Sequence, residues 1–242
     1  MKVKEVKYFG DYKIKVVNSS TKVSNQKDLS IFYDLIKDIK DCKMLDIGAN
    51  KGYYALLTTI KSDLYCYSFE PLSNVYRNFL LKNVALNKVE DKCRCYPFGL
   101  SDKDMMANLW VDMNTENATL AEDKEFHKKM IEKRKQFPKR AAMGYFRYKS
   151  VPAEFHRLDD IMTKVLRNPK IDVVKVDVEG AEHLVLEGGK TFFKKQTPIL
   201  FIEIEERHCR RFDTSIEETL KKIKKLGYKN ITNAGINYIC TK

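Results

Sequence analysis

Two carboxylates close an apolar run in the second half of the chain. Residues 173–179 read VVKVDVE, so Asp177 and Glu179 stand at i and i+2. In an extended strand that spacing puts both on one face. Like charges held side by side away from water push one pKa upward, which is how a carboxylate becomes a base near neutral pH. A second apolar run, residues 199–202, ends in Glu203 and Glu205, with His208 three residues on. These strand ends are expected to open into one crevice. The candidate bases are Asp177, Glu179 and His208. Histidine has the best unperturbed pKa for the work, although a lone histidine near a strand end also serves as a packing or surface residue. His183 is read as structural. The carboxylates Asp177, Glu179 and Glu203 also present the oxygen donors that a divalent ion such as Mg²⁺ takes. That reading is not favoured, and no metal ligand is assigned.

A different chemistry is written earlier. Asp46, Gly48, Asn50 and Gly52 alternate across a turn that follows an apolar run. Glycines there allow a sharp turn and close approach of a ligand to the backbone. The Gly-Lys-Ser/Thr ending of a phosphate-cradling loop is missing. An acid ahead of the turn suits a ligand amine better than a pyrophosphate. Glu70, in FEP at 69–71, closes the next apolar run and is placed to accept both hydroxyls of a ribose. Together the two features point to an adenosyl ligand that carries an ammonium group.

Elements must hold these residues. Residues 3–9 and 12–18 alternate apolar and polar around Gly10-Asp11 and predict a hairpin. Asp28 or Ser30 is expected to cap a helix through Asp38, and Ser73 a helix through Asn87. Further helices are predicted over 52–60, 158–166, 181–193 and 215–226. Strands are predicted over 44–49, 64–70, 94–101, 107–112, 151–156, 172–178, 199–205, 228–232 and 236–240. Strands alternating with helices imply a mostly parallel sheet covered on both faces. The last two strands are joined too closely for a parallel crossover, so the last runs antiparallel to its neighbour. One α/β domain over 1–242, with a hairpin and helix over 1–40 and an insertion over about 113–150, is the expected organisation.

The chain has 242 residues, with 45 Lys+Arg against 33 Asp+Glu and a formal net charge of +12. Residues 124–149 hold ten basic and two acidic side chains, a net +8, leaving +4 for the other 216. Phe137, Tyr145, Phe146 and Tyr148 are interleaved with them, so the stretch reads either as a solvated helical face or as a grip on phosphates and rings. The 43% hydrophobic content excludes global disorder. No apolar run approaches the ~18 residues that span a bilayer. Six cysteines without an apolar leader predict a reduced, cytoplasmic setting. Cys93 and Cys95 have no second pair at metal spacing, which argues against zinc.

These residues carry a resemblance. LDIGANKGYY at 45–54, FEP at 69–71, GLSD at 99–102, LDD at 158–160, DVVKVDVEGAE at 172–182 and PILFIE at 198–203 resemble the FkbM-type family of class I S-adenosylmethionine-dependent methyltransferases. The resemblance implies a Rossmann-like, seven-stranded sheet with a reversed last strand and S-adenosylmethionine as cofactor. It implies that Asp46, Gly48, Asn50 and Gly52 line the methionine half and Glu70 the ribose. Leu100, Ser101 and Asp102 would frame the adenine, although Asp102 reads equally as a turn residue. One of Tyr53 and Tyr54 would touch the cofactor. Asp177 would lie nearest the reacting methyl. The implied reaction is O-methylation of a sugar, glycan or sugar-bearing metabolite. The basic segment suggests an anionic acceptor and a lid or acceptor-binding role. The rival readings are an RNA ribose 2′-O-methyltransferase that grips phosphates with that segment, and a non-catalytic protein that kept the cofactor fold.

Overall fold

A computed structural model describes residues 3–17, 26–112 and 117–242. Its strands are β1 (Val3–Lys7), β2 (Lys13–Val17), β3 (Lys43–Ile47), β4 (Tyr65–Phe69), β5 (Cys93–Tyr96), β6 (Gly99–Ser101), β7 (Met105–Asp112), β8 (Asn117–Thr119), β9 (Tyr148–Arg157), β10 (Val173–Val176), β11 (Ile199–Glu203), β12 (Asn230–Ala234) and β13 (Asn237–Thr241). Seven form the central sheet, in the order β12-β13-β11-β10-β3-β4-β5. From β11 to β5 every pairing is parallel, while β13 runs antiparallel to both β11 and β12. The expected reversed last strand is present.

Alternation along the central strands separates two cores. Met44, Val173 and Phe201 pack on one face, beneath the helix Gln26–Ile36 and the β1–β2 hairpin. Leu45, Ile47, Val174, Val176, Leu200 and Ile202 pack on the other, beneath the helices Glu182–Gly188, Lys190–Gln196 and Ile216–Lys225. The chain winds from β3 out to β5 and then returns to lay β10 on the other side of β3. Between β3 and β10 lies the switch point of an open α/β sheet, where a crevice forms outside the carboxyl ends of the strands.

A second sheet, β6-β9-β7-β8, stands beside the first. It changes one expectation. The predicted strand over 94–101 is broken at Pro97, which lacks the N–H a ladder needs, and β6 leaves to pair with β9. The expected insertion over 113–150 therefore joins β7 to β9 and includes the first three residues of β9, the two strands being an antiparallel pair running from Met105↔Phe155 to Asp112↔Tyr148. The insertion's described part also holds β8 and the helices Lys124–Gln136 and Pro138–Ala142.

Local chemistry moves other boundaries. The hairpin forms as expected, with residue 18 outside the described residues, and Asn83 and Asn87 from the next layer bond Val17 and Lys15 of β2. The first helix starts at Gln26, ahead of both proposed caps. The predicted helix over 52–60 is a 3-10 turn, Ala55–Thr59. The Thr58 and Thr59 hydroxyls donate to the carbonyls three residues back, which suits the tighter winding. Ser73 is the first helical residue and not the cap. The Glu70 carboxylate takes that function by accepting the Leu72 N–H.

Candidate active site

A cavity of about 460 Å³ opens at the β3–β10 switch point. Its size is that of a cofactor or metabolite site. The turn after β3 forms one wall, with Gly48, Ala49 and Asn50 against it. Gly48 sits at φ +80°, and a Cβ there would lie 1.9 Å from the Asp177 carbonyl oxygen. The two strand ends thus touch backbone to backbone, which only glycine permits. Gly48→Ala is expected to cost about 2–5 kcal/mol from left-handed strain plus overpacking. Chemical denaturation reads this directly, and an unchanged midpoint would refute the close approach.

Glu70 lies at the end of β4, buried and facing the cavity. Its carboxylate accepts the N–H groups of Asn50 and Leu72 at 2.9 and 2.7 Å. One carboxylate therefore ties the first turn to the second. Burial pushes its pKa up to about 7 against the pull of these donors. Leu100 of β6, Leu109 of β7 and Phe155 of β9 supply an apolar wall from the second sheet.

Several proposed cofactor residues lie elsewhere. Asp46 is fully buried and does not line the cavity. Gly52 also lies behind the lining, where its φ of +83° leaves room for Leu80 and a Cβ would not. Ser101 and Asp102 are outside it too. The β6 backbone there presses on the helix Glu182–Gly188 so closely that a Cβ on Gly188 would lie 1.8 Å from the Ser101 carbonyl oxygen. Of the three residues expected around adenine, only Leu100 faces the cavity. Tyr53 and Tyr54 both do.

Asp46 faces a residue that the sequence reading passed over. Lys175 lies directly across the β3–β10 ladder from it and is almost wholly buried. Its ammonium donates to the Gly48 carbonyl at 2.8 Å and stands 3.5 Å from Asp46 and 3.4 Å from Asp177. Burial alone would lower the Lys175 pKa, but Asp177, Asp46 and Glu203 outweigh it and hold it raised. Asp46 is raised as well, by burial first. Its two oxygens find no hydrogen-bond donor among the described residues, because the ammonium is spent mainly on Gly48 and shared with Asp177. The available signal was a lysine in the middle of an otherwise apolar buried strand.

The far end of the cavity is acidic. Asp177, Glu179, Glu203 and Glu205 line it together with Arg207 and His208. All three proposed catalytic residues are therefore in one place. The turn after β10 is set by its own motif. Glu182 accepts the N–H groups of Val178 and Gly180. Gly180 carries φ +110° and lets the His208 backbone approach, since a Cβ would lie 2.6 Å from its carbonyl oxygen. Glu179 itself is held at φ +57°, with its carbonyl accepting the Thr119 hydroxyl at 2.9 Å.

Glu179 Oε2 stands 3.3 Å from His208 Nε2. Burial and then the Asp177 charge push Glu179 up to about 7. Burial and then Arg211 push His208 down to about 4, so the imidazole is neutral at physiological pH. Glu203 rises to about 9 under burial, Asp177 and Glu179. Glu203, Glu205 and His208 also bring one ligand atom each within 4.8 Å of one another. This differs from the carboxylate set expected for a divalent ion, and the Arg207 guanidinium already pairs with Glu205. His183 turns its Nδ1 to the Gly180 carbonyl and packs on Phe212.

The sheet order, the reversed strand and a cavity at the switch point define a class I, Rossmann-like methyltransferase architecture. Residues 46–229 match the family model described as the Methyltransferase FkbM domain, and the chain belongs to that family. Methyltransferase 1 of Beauveria bassiana (strain ARSEF 2860) is 26% identical over 158 residues, covering 64% of this chain and 61% of that protein. Among solved structures, methyltransferase FkbM from Methylobacillus flagellatus KT is similar with a TM-score of 0.54 and 15% identity, over 87% of this chain and 46% of that one. Precorrin-6y C5,15-methyltransferase from Geobacter metallireducens GS-15 gives 0.50 and 7%, over 93% and 90%. This chain thus spans under two thirds of the first protein's length and under half of the second's.

Proposed function

We propose that this protein is an S-adenosylmethionine-dependent O-methyltransferase acting on a hydroxyl of a sugar, glycan or sugar-bearing metabolite. The observation that carries the reading is one cavity lined by two unlike sets of residues. One set is the backbone of 48–50, the Glu70 carboxylate and an apolar wall. The other, which meets the first where Asp177 touches Gly48, is four carboxylates and a buried histidine. The donor set suits an adenosyl group, since Glu70 can accept ribose hydroxyls and Leu100, Leu109 and Phe155 can face a base. S-adenosylmethionine, when bound, supplies an electrophilic methyl whose leaving group departs neutral and needs no acid.

The chain must then hold an acceptor oxygen in line and take its proton. Carboxylates spaced around a cavity suit a polyhydroxylated acceptor, which offers several donors at once. Glu203, raised to about 9 by burial and the neighbouring acids, is protonated at neutral pH and so has a hydroxyl to offer an acceptor oxygen. His208, at about 4, is too weak a base there. Glu179, at about 7, is matched to the task. Asp177 holds Lys175, which in turn holds Gly48, so it positions the cofactor turn from the acceptor side. None of the ten basic residues of 124–149 lines the cavity, so the RNA reading and the anionic acceptor gain no support from it.

Glu70→Ala is expected to weaken S-adenosylmethionine binding about ten- to hundred-fold, the worth of hydrogen bonds to a charged acceptor. Equilibrium binding measures it. Incubation with labelled S-adenosylmethionine and fractionated glycans, RNA and small molecules tests the acceptor. Label in RNA alone would overturn the sugar reading.

A further inference from the structure

The basic segment stands apart from the cavity and has its own composition. Every residue from 131 to 140 is exposed, and five of these ten are Lys133, Arg134, Lys135, Lys139 and Arg140. Large apolar side chains are exposed on the same stretch: Ile131 at 46%, Phe137 at 41%, Met143 at 76% and Tyr145 at 50%. Along the helix Lys124–Gln136, Ile131 is flanked at helical spacing by Lys124, Lys128 and Lys135, and the four border one shallow groove together with His127, Glu122 and Glu132. The inner face of that helix carries buried Met130. Its root is fixed, because Asp123 caps it at Phe126 and pairs with Arg211 at 3.0 Å. One end is thus anchored beside the acidic end of the cavity, while the other displays cations and apolar groups together.

A partner for this face must take both kinds of side chain. Nucleic acid phosphates would satisfy the cations. Ile131 and Met143, however, have no flat face for a base, and the rings of Phe137 and Tyr145 are both set against Phe146, with Arg140 over Phe137. An anionic bilayer satisfies both. Its headgroups attract basic residues, and its interface accepts apolar side chains to a shallow depth. No helix among the described residues is long and apolar enough to cross a membrane, and lying on the surface requires none.

We propose that residues 124–149 form a docking element for anionic phospholipid bilayers, with Ile131 and Met143 entering the interface and the surrounding Lys and Arg meeting the headgroups. The element sets the acidic end of the cavity beside the membrane surface. The proposal does not depend on the methyl-transfer reading, and its test reads binding alone.

The test is co-sedimentation of the full chain with vesicles of phosphatidylcholine, with and without phosphatidylserine. Binding is expected only with phosphatidylserine and falls as salt is raised. Lys133→Gln, Arg134→Gln and Lys135→Gln together should weaken it about a hundredfold, at about 1 kcal/mol per charge. Ile131→Ser with Met143→Ser should weaken it at least about tenfold at unchanged net charge. Met106→Ser, at a comparably exposed apolar site on β7, should leave it unchanged. All these positions are exposed, so circular dichroism should stay the same. Failure to bind phosphatidylserine vesicles overturns the proposal, as does undiminished binding by the apolar double variant. Displacement of bound protein by a short single-stranded RNA at equal phosphate concentration also overturns it, in favour of a nucleic-acid surface.

Discussion

Lys175→Met should destabilise the fold by about 3–5 kcal/mol, read as a lower urea midpoint at unchanged slope. The cation it removes is the only one within ion-pair distance of Asp46 among the described residues. Asp46 is fully buried and, among the described residues, its oxygens make no hydrogen bond of ordinary geometry, so besides Lys175 only the Ala55 backbone draws its pKa down. The sign of the pH dependence follows from the raised Asp46 pKa. The folded chain holds that proton more tightly than the unfolded chain. Its contribution to stability is therefore full below the unfolded aspartate pKa and is lost as pH rises through the folded one. Without Lys175 the folded value climbs further, so the deficit of the variant should be larger at pH 8 than at pH 5. Asp46→Asn in the same background removes the stranded charge and should recover more than half of the loss. If the double variant is no more stable than Lys175→Met alone, the ion pair is not what the lysine supplies. The Gly48 carbonyl also loses its donor, so S-adenosylmethionine binding should weaken even where the variant is fully folded.

Lys175 also marks where reading the chain stopped short. Asp177 and Glu179 were legible as two acids after an apolar run, but β10 ends at Val176, so the turn at Glu179 and not a shared strand face brings them to the cavity. Glu70 was legible because it ends a strand beside a glycine turn. Those signals are local. The role of Lys175 is set by register: it is opposite Asp46 only because β10 pairs with β3 and not with β4. In a chain with 45 basic residues, a lysine inside an apolar run signals burial but does not name its partner. The same holds for the apolar wall. Leu109 and Phe155 belong to a second sheet whose central pair, β7 and β9, joins residues as distant in the chain as Met105 and Phe155, which no local pattern shows. The resemblance implies Ser101 and Asp102 around adenine, but Ser101 ends β6 and neither residue lines the cavity. Asp46 was read as a ligand contact when its burial makes it the partner of a cation. The acidic turn at 177–182 was legible as a motif, yet the service of Glu182 to it was not. That carboxylate points back at two amides only once the helix after it has formed.

The same turn carries the other large effect. Glu179→Gln should lower kcat about 10²–10⁴-fold, the usual worth of a general base, while S-adenosylmethionine affinity stays within a few-fold. Glutamine keeps the size and the φ tolerance of the position, so the Thr119 bond to its carbonyl and the turn geometry are retained. What it lacks is a proton acceptor. A base works deprotonated, so wild-type kcat/KM should rise with pH through an apparent pKa near 7, the value to which burial and Asp177 push Glu179. That limb should vanish in the glutamine variant. Asp177→Asn should shift the limb to lower pH, because the neighbouring charge that raises Glu179 is gone. His208 gives a clean alternative. Were the imidazole the base, the limb would fall near 4, the value set by its burial and by Arg211, and would survive Glu179→Gln. His208→Gln is instead expected to move the limb modestly and leave it in place, since the neutral ring stands 3.3 Å from the carboxylate and orients it. A limb near 7 that is lost with Glu179 and kept without His208 assigns the proton to one oxygen in the cavity. The histidine is then a positioning residue beside it.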